Sequence, residues 1–137
     1  MTEQNAGYTE IEHTADWAID VWAPDFEGLL REATRGMYEL AGVQIDGSQG
    51  HRETIRIDGD DRVDVLVAWL SELVFLWSAR DQGLVELEFD YDGQTLSATG
   101  RLGPIVAQQK EVKAVTYHGL DVRETERGIE ATVTFDV

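Results

Sequence analysis

The stretch RVDVLVAWLSELVFLWSARDQGLVELEFDYDGQTLSATG, residues 62–100, changes its period midway, and that change decides the fold. Val63, Leu66, Val67, Leu70, Leu73, Val74 and Trp77 recur at three- and four-residue steps, the period of one helix face. Val65, Trp69 and Leu76 widen the stripe, so the spacing predicts a central helix buried on much of its circumference. Asp58-Gly59-Asp60-Asp61 precedes it as a turn that puts negative charge at the helix N-terminus, and Asp81-Gln82-Gly83 stops it. From there Leu84, Glu86, Glu88 and Asp90 alternate with Val85, Leu87, Phe89 and Tyr91, the period of a strand. Asp92-Gly93 reads as a hairpin turn, with Leu96, Ala98 and Gly100 on the returning strand. Gly103-Pro104 is expected to break that strand.

Towards the N-terminus, Trp17, Ile19 and Val21 alternate with Ala18, Asp20 and Trp22, a second strand signal. Pro24-Asp25 then opens a helix, with Asp25 as the cap. Phe26, Leu29, Leu30, Ala33, Met37, Leu40 and Ala41 form its apolar face, and Gly42 is placed to end it. Residues 43–50 read as a loop, and residues 54–58 as a short strand. Towards the C-terminus, residues 105–111 are ambiguous and Lys113 to Tyr117 reads as a strand. Leu120 and Val122, then Ile129 to Phe135, read as a final hairpin around Glu126-Arg127-Gly128. Two helices amid some seven clustered strands imply an α+β fold. The expected architecture is a single-domain sandwich, residues 1–137, of two main helices packed on largely antiparallel β-sheet.

Composition narrows the function. The chain has 137 residues, 42% of them hydrophobic, enough for one core. It has no cysteine, which removes disulfides, thiol catalysis and cysteine-ligated zinc. The N-terminus has neither the basic nor the apolar region of a signal peptide, and no apolar run reaches membrane-spanning length, so a cytoplasmic protein is expected. With 27 acidic residues against 11 Lys plus Arg, the net charge is −16. Such a surface repels a phosphate backbone, so no direct nucleic-acid binding is expected; a basic protein or a cation is the easier partner. The same charge also serves solubility alone.

No nucleophile elbow, P-loop, dinucleotide fingerprint or HExxH helix is present. The histidines are His13, His51 and His118, and the only lysines are Lys110 and Lys113. Lys113 stands in an otherwise apolar, neutral stretch; its stem can pack while its ammonium pairs with an acid. Asp16 is an oxygen ligand suited to a hard cation, or a residue capping its own turn. The final strand runs to the last residues: Val133, Phe135 and Val137 are expected to face one way, and Thr132, Thr134 and Asp136 the other. The carboxylates of Asp136 and Val137 then repel unless a cation or Lys113 neutralises them. Trp17, Trp22, Trp69 and Trp77 read as core residues.

His13-Thr14-Ala15-Asp16, the stretch Val112-Lys113-Ala114-Val115-Thr116-Tyr117-His118-Gly119-Leu120 and the end Phe135-Asp136-Val137 together resemble the archease family. The likeness runs from about Tyr8 to Val137. It implies an accessory protein without catalytic machinery of its own, which activates the RtcB-type tRNA-splicing ligase by promoting its guanylylation and multiple turnover. It implies a divalent metal ion, calcium first and magnesium or manganese as alternatives, bound by Asp16, Asp136 and Val137. It implies a functional role for Lys113, and His13 and His118 fall within the same motifs. The alternative is a chaperone-like stabiliser of an RNA-modifying enzyme such as a tRNA methyltransferase. Residues 103–109 are less acidic and polar than is usual in relatives, which bears on partner choice.

Overall fold

The computed structural model describes residues 5–11, 17–117 and 119–137. Nine strands and two α-helices follow in the order β1 (Gly7–Ile11), β2 (Trp17–Ala23), α1 (Phe26–Leu40), β3 (Gln44–Ile45), β4 (His51–Asp58), α2 (Arg62–Arg80), β5 (Gln82–Tyr91), β6 (Thr95–Ala107), β7 (Ala114–Thr116), β8 (Val122–Thr125) and β9 (Gly128–Asp136). All strand pairs among the described residues are antiparallel. One sheet runs β1-β2-β9-β7, with β8 also on β9. In the other, β6 is the hub: β4 and β5 pair with the same stretch of it from opposite edges, and β3 pairs with its far end.

The helices begin where their caps dictate. Asp25 accepts the N–H of Gly28 at 2.8 Å, and Asp61 accepts that of Asp64 at 2.9 Å; each satisfies a donor the first turn cannot. Past α1, Gly42 takes φ +70°, the left-handed conformation that glycine adopts without strain. At the end of α2, Asp81 takes that role at φ 59°, and β5 starts on the next residue.

The apolar faces of both helices and the inner faces of both sheets meet in one core. Ile19, Val21, Val133 and Phe135 come from the first sheet, Leu84 and Leu96 from the second, and Leu29, Leu30, Met37, Leu66, Trp69, Leu70 and Leu73 from the helices; all are essentially inaccessible. Among the described residues its one cross-helix polar link is Trp69 Nε1 donating to Thr34 Oγ1 at 2.8 Å, while that hydroxyl donates to the carbonyl of Leu30. Both buried polar groups are thus paired. At the margin, α1 shields the free edge of β5: the Leu84 N–H reaches the Tyr38 hydroxyl and the Tyr91 N–H donates to Glu27, an edge covered rather than left open.

Several expectations change. The span 43–50 is not wholly loop: it holds β3 and a single 3₁₀ turn at Gly47–Gln49, with Asp46 accepting from Ser48. β1 is also an unforeseen strand, and with β3 it makes nine strands among the described residues where about seven are expected. Gly103-Pro104 does not break β6, which runs on to Ala107. Leu102 is the last residue paired with β4 and Ile105 the first paired with β3. The residues that look like a breaker therefore sit where β6 changes neighbour. A Cβ on Gly103 would lie 2.4 Å from the Asp46 carbonyl oxygen, so this crossing admits only glycine. Trp22 is half-buried rather than core, with the Arg127 guanidinium 4.1 Å above its ring.

Candidate functional site at the ends of β2, β7 and β9

Phe135 is the centre of this region. It pairs with Trp17 on one side and Val115 on the other. Its ring is fully buried and lies 5.2 Å from that of Trp17. One residue on, Asp136 pairs with Ala114, and the N–H of Lys113 donates to the Asp136 carbonyl at 2.7 Å. The second motif and the C-terminal strand are thus zipped together up to the two residues singled out in the sequence. Lys113 and Asp136 both have exposed side chains. Val133 and Phe135 are buried as expected, whereas Val137 follows the strand and is 41% exposed.

The segment before β7 has no regular structure, yet it is held along its length. Gln108 accepts the indole N–H of Trp77. The N–H groups of Gln109 and Lys110 both donate to the Ala41 carbonyl, at 2.9 and 3.0 Å. This is an end-of-helix carbonyl that α1 itself leaves unsatisfied. Val112 is completely buried. Residues 108–113 therefore form a strap across the end of α1 that delivers Lys113 to Asp136. Lys110, on the same strap, places its ammonium 5.1 Å from the centre of the Trp17 ring, whose N–H donates to Glu10 at 2.8 Å. Both lysines of the chain thus serve one end of one sheet. Sequence reasoning noticed Lys113 but missed Lys110, Gln108 and Glu10; the scarcity of lysine was the available signal.

His13, Asp16 and His118 lie outside the described residues. Among the described residues no three histidines, aspartates or glutamates gather into a metal-binding group. The described part of the expected donor set is the exposed carboxylate of Asp136 and the main-chain oxygens of Val137. These are hard oxygen donors, the chemistry of calcium, magnesium or manganese rather than of soft-ligand metals. Asp16 is covalently next to Trp17, whose strand partner is next to Asp136. The donor chemistry fits a hard cation. Elsewhere, His51 sits on the exposed edge strand β4, 3.2 Å from Glu53.

A second electrostatic feature occupies the outer face of the same sheet. Burial first, then the hydrogen bond and charge of Glu130, raise the Asp20 carboxyl to about 6, against the opposing pull of Arg127 and Arg123. Glu130 is held below its ordinary value, chiefly by the hydrogen bond from Asp20. The two carboxyls share a proton into the mildly acidic range.

This arrangement of two helices and antiparallel sheets superposes on solved structures. An archease from Thermotoga maritima, described as a possible chaperone, superposes with a TM-score of 0.70 at 24% identity, covering 93% of this chain and 94% of its own. Protein 1598 of Methanobacterium thermoautotrophicum superposes with a TM-score of 0.68 at 26% identity, covering 96% and 99%. The fold is therefore that of these compact α+β domains. The chain belongs to the archease family: the model of the Archease protein family matches residues 8–137. It is 31% identical to protein archease of Archaeoglobus fulgidus over 95% of this chain and 98% of that one, and 33% identical to that of Methanopyrus kandleri over 84% and 88%.

Proposed function

We propose that this archease acts on a partner protein, and that the partner is an RtcB-type tRNA-splicing ligase whose guanylylation and multiple turnover it promotes. The observation that carries the reading is the Lys113–Asp136 main-chain bond. It joins the two sequence elements that the family likeness marks as functional, and it leaves both their side chains exposed at one strand end. A surface of net charge −16 suits docking on the basic surface of an RNA-binding enzyme and disfavours RNA itself.

In this reading Asp136, the main-chain oxygens of Val137 and Asp16 hold a divalent cation, calcium first. A bound cation there would supply positive charge for phosphoryl groups at the partner's nucleotide site. The chain's own residues do the rest. The strap fixes the height of Lys113 relative to Asp136, so the ammonium can contact a phosphate or counter the carboxylates. Trp17 and Phe135, strand partners with stacked, tilted rings, hold the ends of β2 and β9 in register. His13 and His118 belong to the same motifs and share with Lys113 the proposed role in activating the partner. Bond making and breaking stay with the ligase. Among the described residues no helix is long and apolar enough to cross a membrane.

The test is RNA ligation by the cognate ligase with GTP, in single and multiple turnover, with and without this protein at substoichiometric amounts. Conversion of one round into many supports the reading; no change in either regime sinks it. The second reading, a chaperone-like stabiliser of an RNA-modifying enzyme, is favoured by the description of the Thermotoga relative. It predicts suppression of a client's aggregation that survives Asp136→Ala.

A further inference from the structure

Away from that site, α1 and the edge of β5 enclose a cleft of about 300 Å³. Its walls are mainly apolar, with Val43, Ile45, Leu84 and Leu87 among them. Its volume is at the lower end of ligand pockets and equals about ten water molecules at ~30 Å³ each. Six polar side chains also line it, and they are not equivalent.

Arg31 lines the mouth. Its guanidinium rests 5.4 Å from the centre of the Phe89 ring, and among the described residues it has no carboxylate in salt-bridge range. Among the described residues Arg35, Arg101, Arg123 and Arg127 pair with carboxylates, so what distinguishes Arg31 is its place on the cleft. The other charges at the rim are already engaged. Arg35 pairs with Glu32 and Glu39, at 3.5 Å each. Glu39 also accepts from the Tyr8 hydroxyl, and Glu86 lies 3.9 Å from Arg101. The remaining group is Tyr38, only 8% exposed. Its hydroxyl takes the Leu84 N–H at 3.4 Å, while no acceptor for its own proton occurs among the described hydrogen bonds. Burial pushes its ionisation well above the ordinary tyrosine value, so it stays a donor.

One wall of the cleft is held in an unusual conformation. Glu86 takes φ 54°, and the pairing of β5 with β6 shifts register between Val85 and Glu88. Such a bulge re-aims side chains, and a non-glycine residue there is a costly choice that the surroundings must impose. It turns Glu86 out to Arg101 while Leu84 and Leu87 remain facing the cleft.

We propose that this cleft is a binding site for a small amphipathic organic carboxylate, its apolar body between Leu84, Leu87, Val43 and Ile45 and its carboxylate on Arg31. A charge-assisted bond to an otherwise unpaired guanidinium is the strongest contact the cleft offers, and the apolar walls favour a chain or ring of about ten heavy atoms by the volume above. The Tyr38 proton gives a second, weaker point of attachment. The site goes beyond the proposed activation of a ligase and does not depend on it.

The cleft contains its own reporter. Thr34 lines it and accepts the indole N–H of Trp69, and Trp69 packs edge-on to Phe89 at 5.3 Å. A carboxylate that draws Arg31 off Phe89 changes the surroundings of Trp69. The experiment is titration of the full chain with octanoate, followed by calorimetry and tryptophan fluorescence, with octanol as the uncharged control. Saturable one-to-one octanoate binding, at least about tenfold weaker for octanol and about tenfold weaker in Arg31→Leu, is expected. Trp69→Phe should remove the fluorescence change and keep the calorimetric signal. Equal binding of octanol and octanoate, equal binding by Arg31→Leu and wild type, or no binding at millimolar octanoate would each overturn the proposal. Arg31 is solvent-exposed, and its variant's melting temperature, measured alongside, is expected within about 2 °C of wild type.

Discussion

The main-chain N–H of Lys113 donates to the main-chain carbonyl of Asp136 at 2.7 Å, and that bond fixes how far apart their side chains begin. It is one rung beyond the last β7–β9 pair, Ala114 with Asp136. A side-chain substitution at either position leaves the rung intact. Lys113→Ala and Asp136→Asn should therefore fold normally, with melting temperatures within about 2 °C of wild type, since exposed changes cost little. In the proposed function both lose at least about tenfold of the stimulation of multiple-turnover ligation. Normal stimulation by both variants would show that this strand end is not the acting surface.

The strap that delivers Lys113 can be loosened without touching it. Val112 is fully buried. Truncation to alanine should cost about 1–2.5 kcal/mol, the usual range for removing two buried methyl groups. The loss is expected to be local as well as global: amide exchange at Gln109, Lys110 and Lys113, whose N–H groups anchor the strap, should accelerate more than exchange in α2. Uniform acceleration across the chain would mean the strap does not open separately.

The Asp20–Glu130 pair predicts a pH dependence. The Asp20 carboxyl rises from 3.8 to about 6 in the folded chain. A group raised on folding contributes stability below its unfolded value and loses it as pH climbs through the folded one. Glu130, held below its ordinary 4.5, contributes above that value and loses stability as pH falls. Asp20→Asn removes the titration. At pH 3.5, below the unfolded value, Asp20 is protonated both folded and unfolded, and the variant and wild type should melt together. At pH 7.5 the variant should gain up to about 1 kcal/mol, or a few degrees, after allowing for solvent screening and the lost Arg127 contact. An equal difference at both pH values would show that the pair is uncoupled.

Two glycines of one hairpin should respond differently to alanine. Gly93 has φ +102° with open space around it, so Gly93→Ala meets only backbone strain, about 1 kcal/mol. At Gly103 the new methyl would lie 2.4 Å from the Asp46 oxygen. Separating the two segments should cost about 2–4 kcal/mol. Urea denaturation of the two variants measures this; equal midpoints would mean that the β6 crossing tolerates a side chain.

Asp61→Ala tests the start of α2. Loss of its bond to the Asp64 N–H should cost about 1 kcal/mol, the usual worth of an N-cap. Asp60→Ala, one residue earlier, should change stability by less than about half of that.

Much of this was legible locally. The three- and four-residue spacing of Val63 to Trp77 and of Phe26 to Ala41 gave both helices, because a helix must bury one face wherever it packs. Asp25 and Asp61 marked their starts, since a free N–H needs an acceptor within a few residues. The hairpins around Gly93 and Gly128, with φ +102° and +105°, were equally readable from their turn residues. So was the order of the motifs that places the chain in its family. What tertiary structure decided was everything that depends on distant partners. Gly103-Pro104 is a breaker in isolation and a crossing point once Asp46 lies against it. Gln44-Ile45 is too short to announce a strand and becomes one only beside Ile105 and Ala107. The strap at residues 108–113 has no period to read, because its bonds run to Ala41, Trp77 and Asp136, and Lys110 gains its role only where Trp17 lies beneath it. Sequence spacing encodes contacts made within a few residues; contacts between residues 30 or 100 positions apart exist only after the core has brought their elements together.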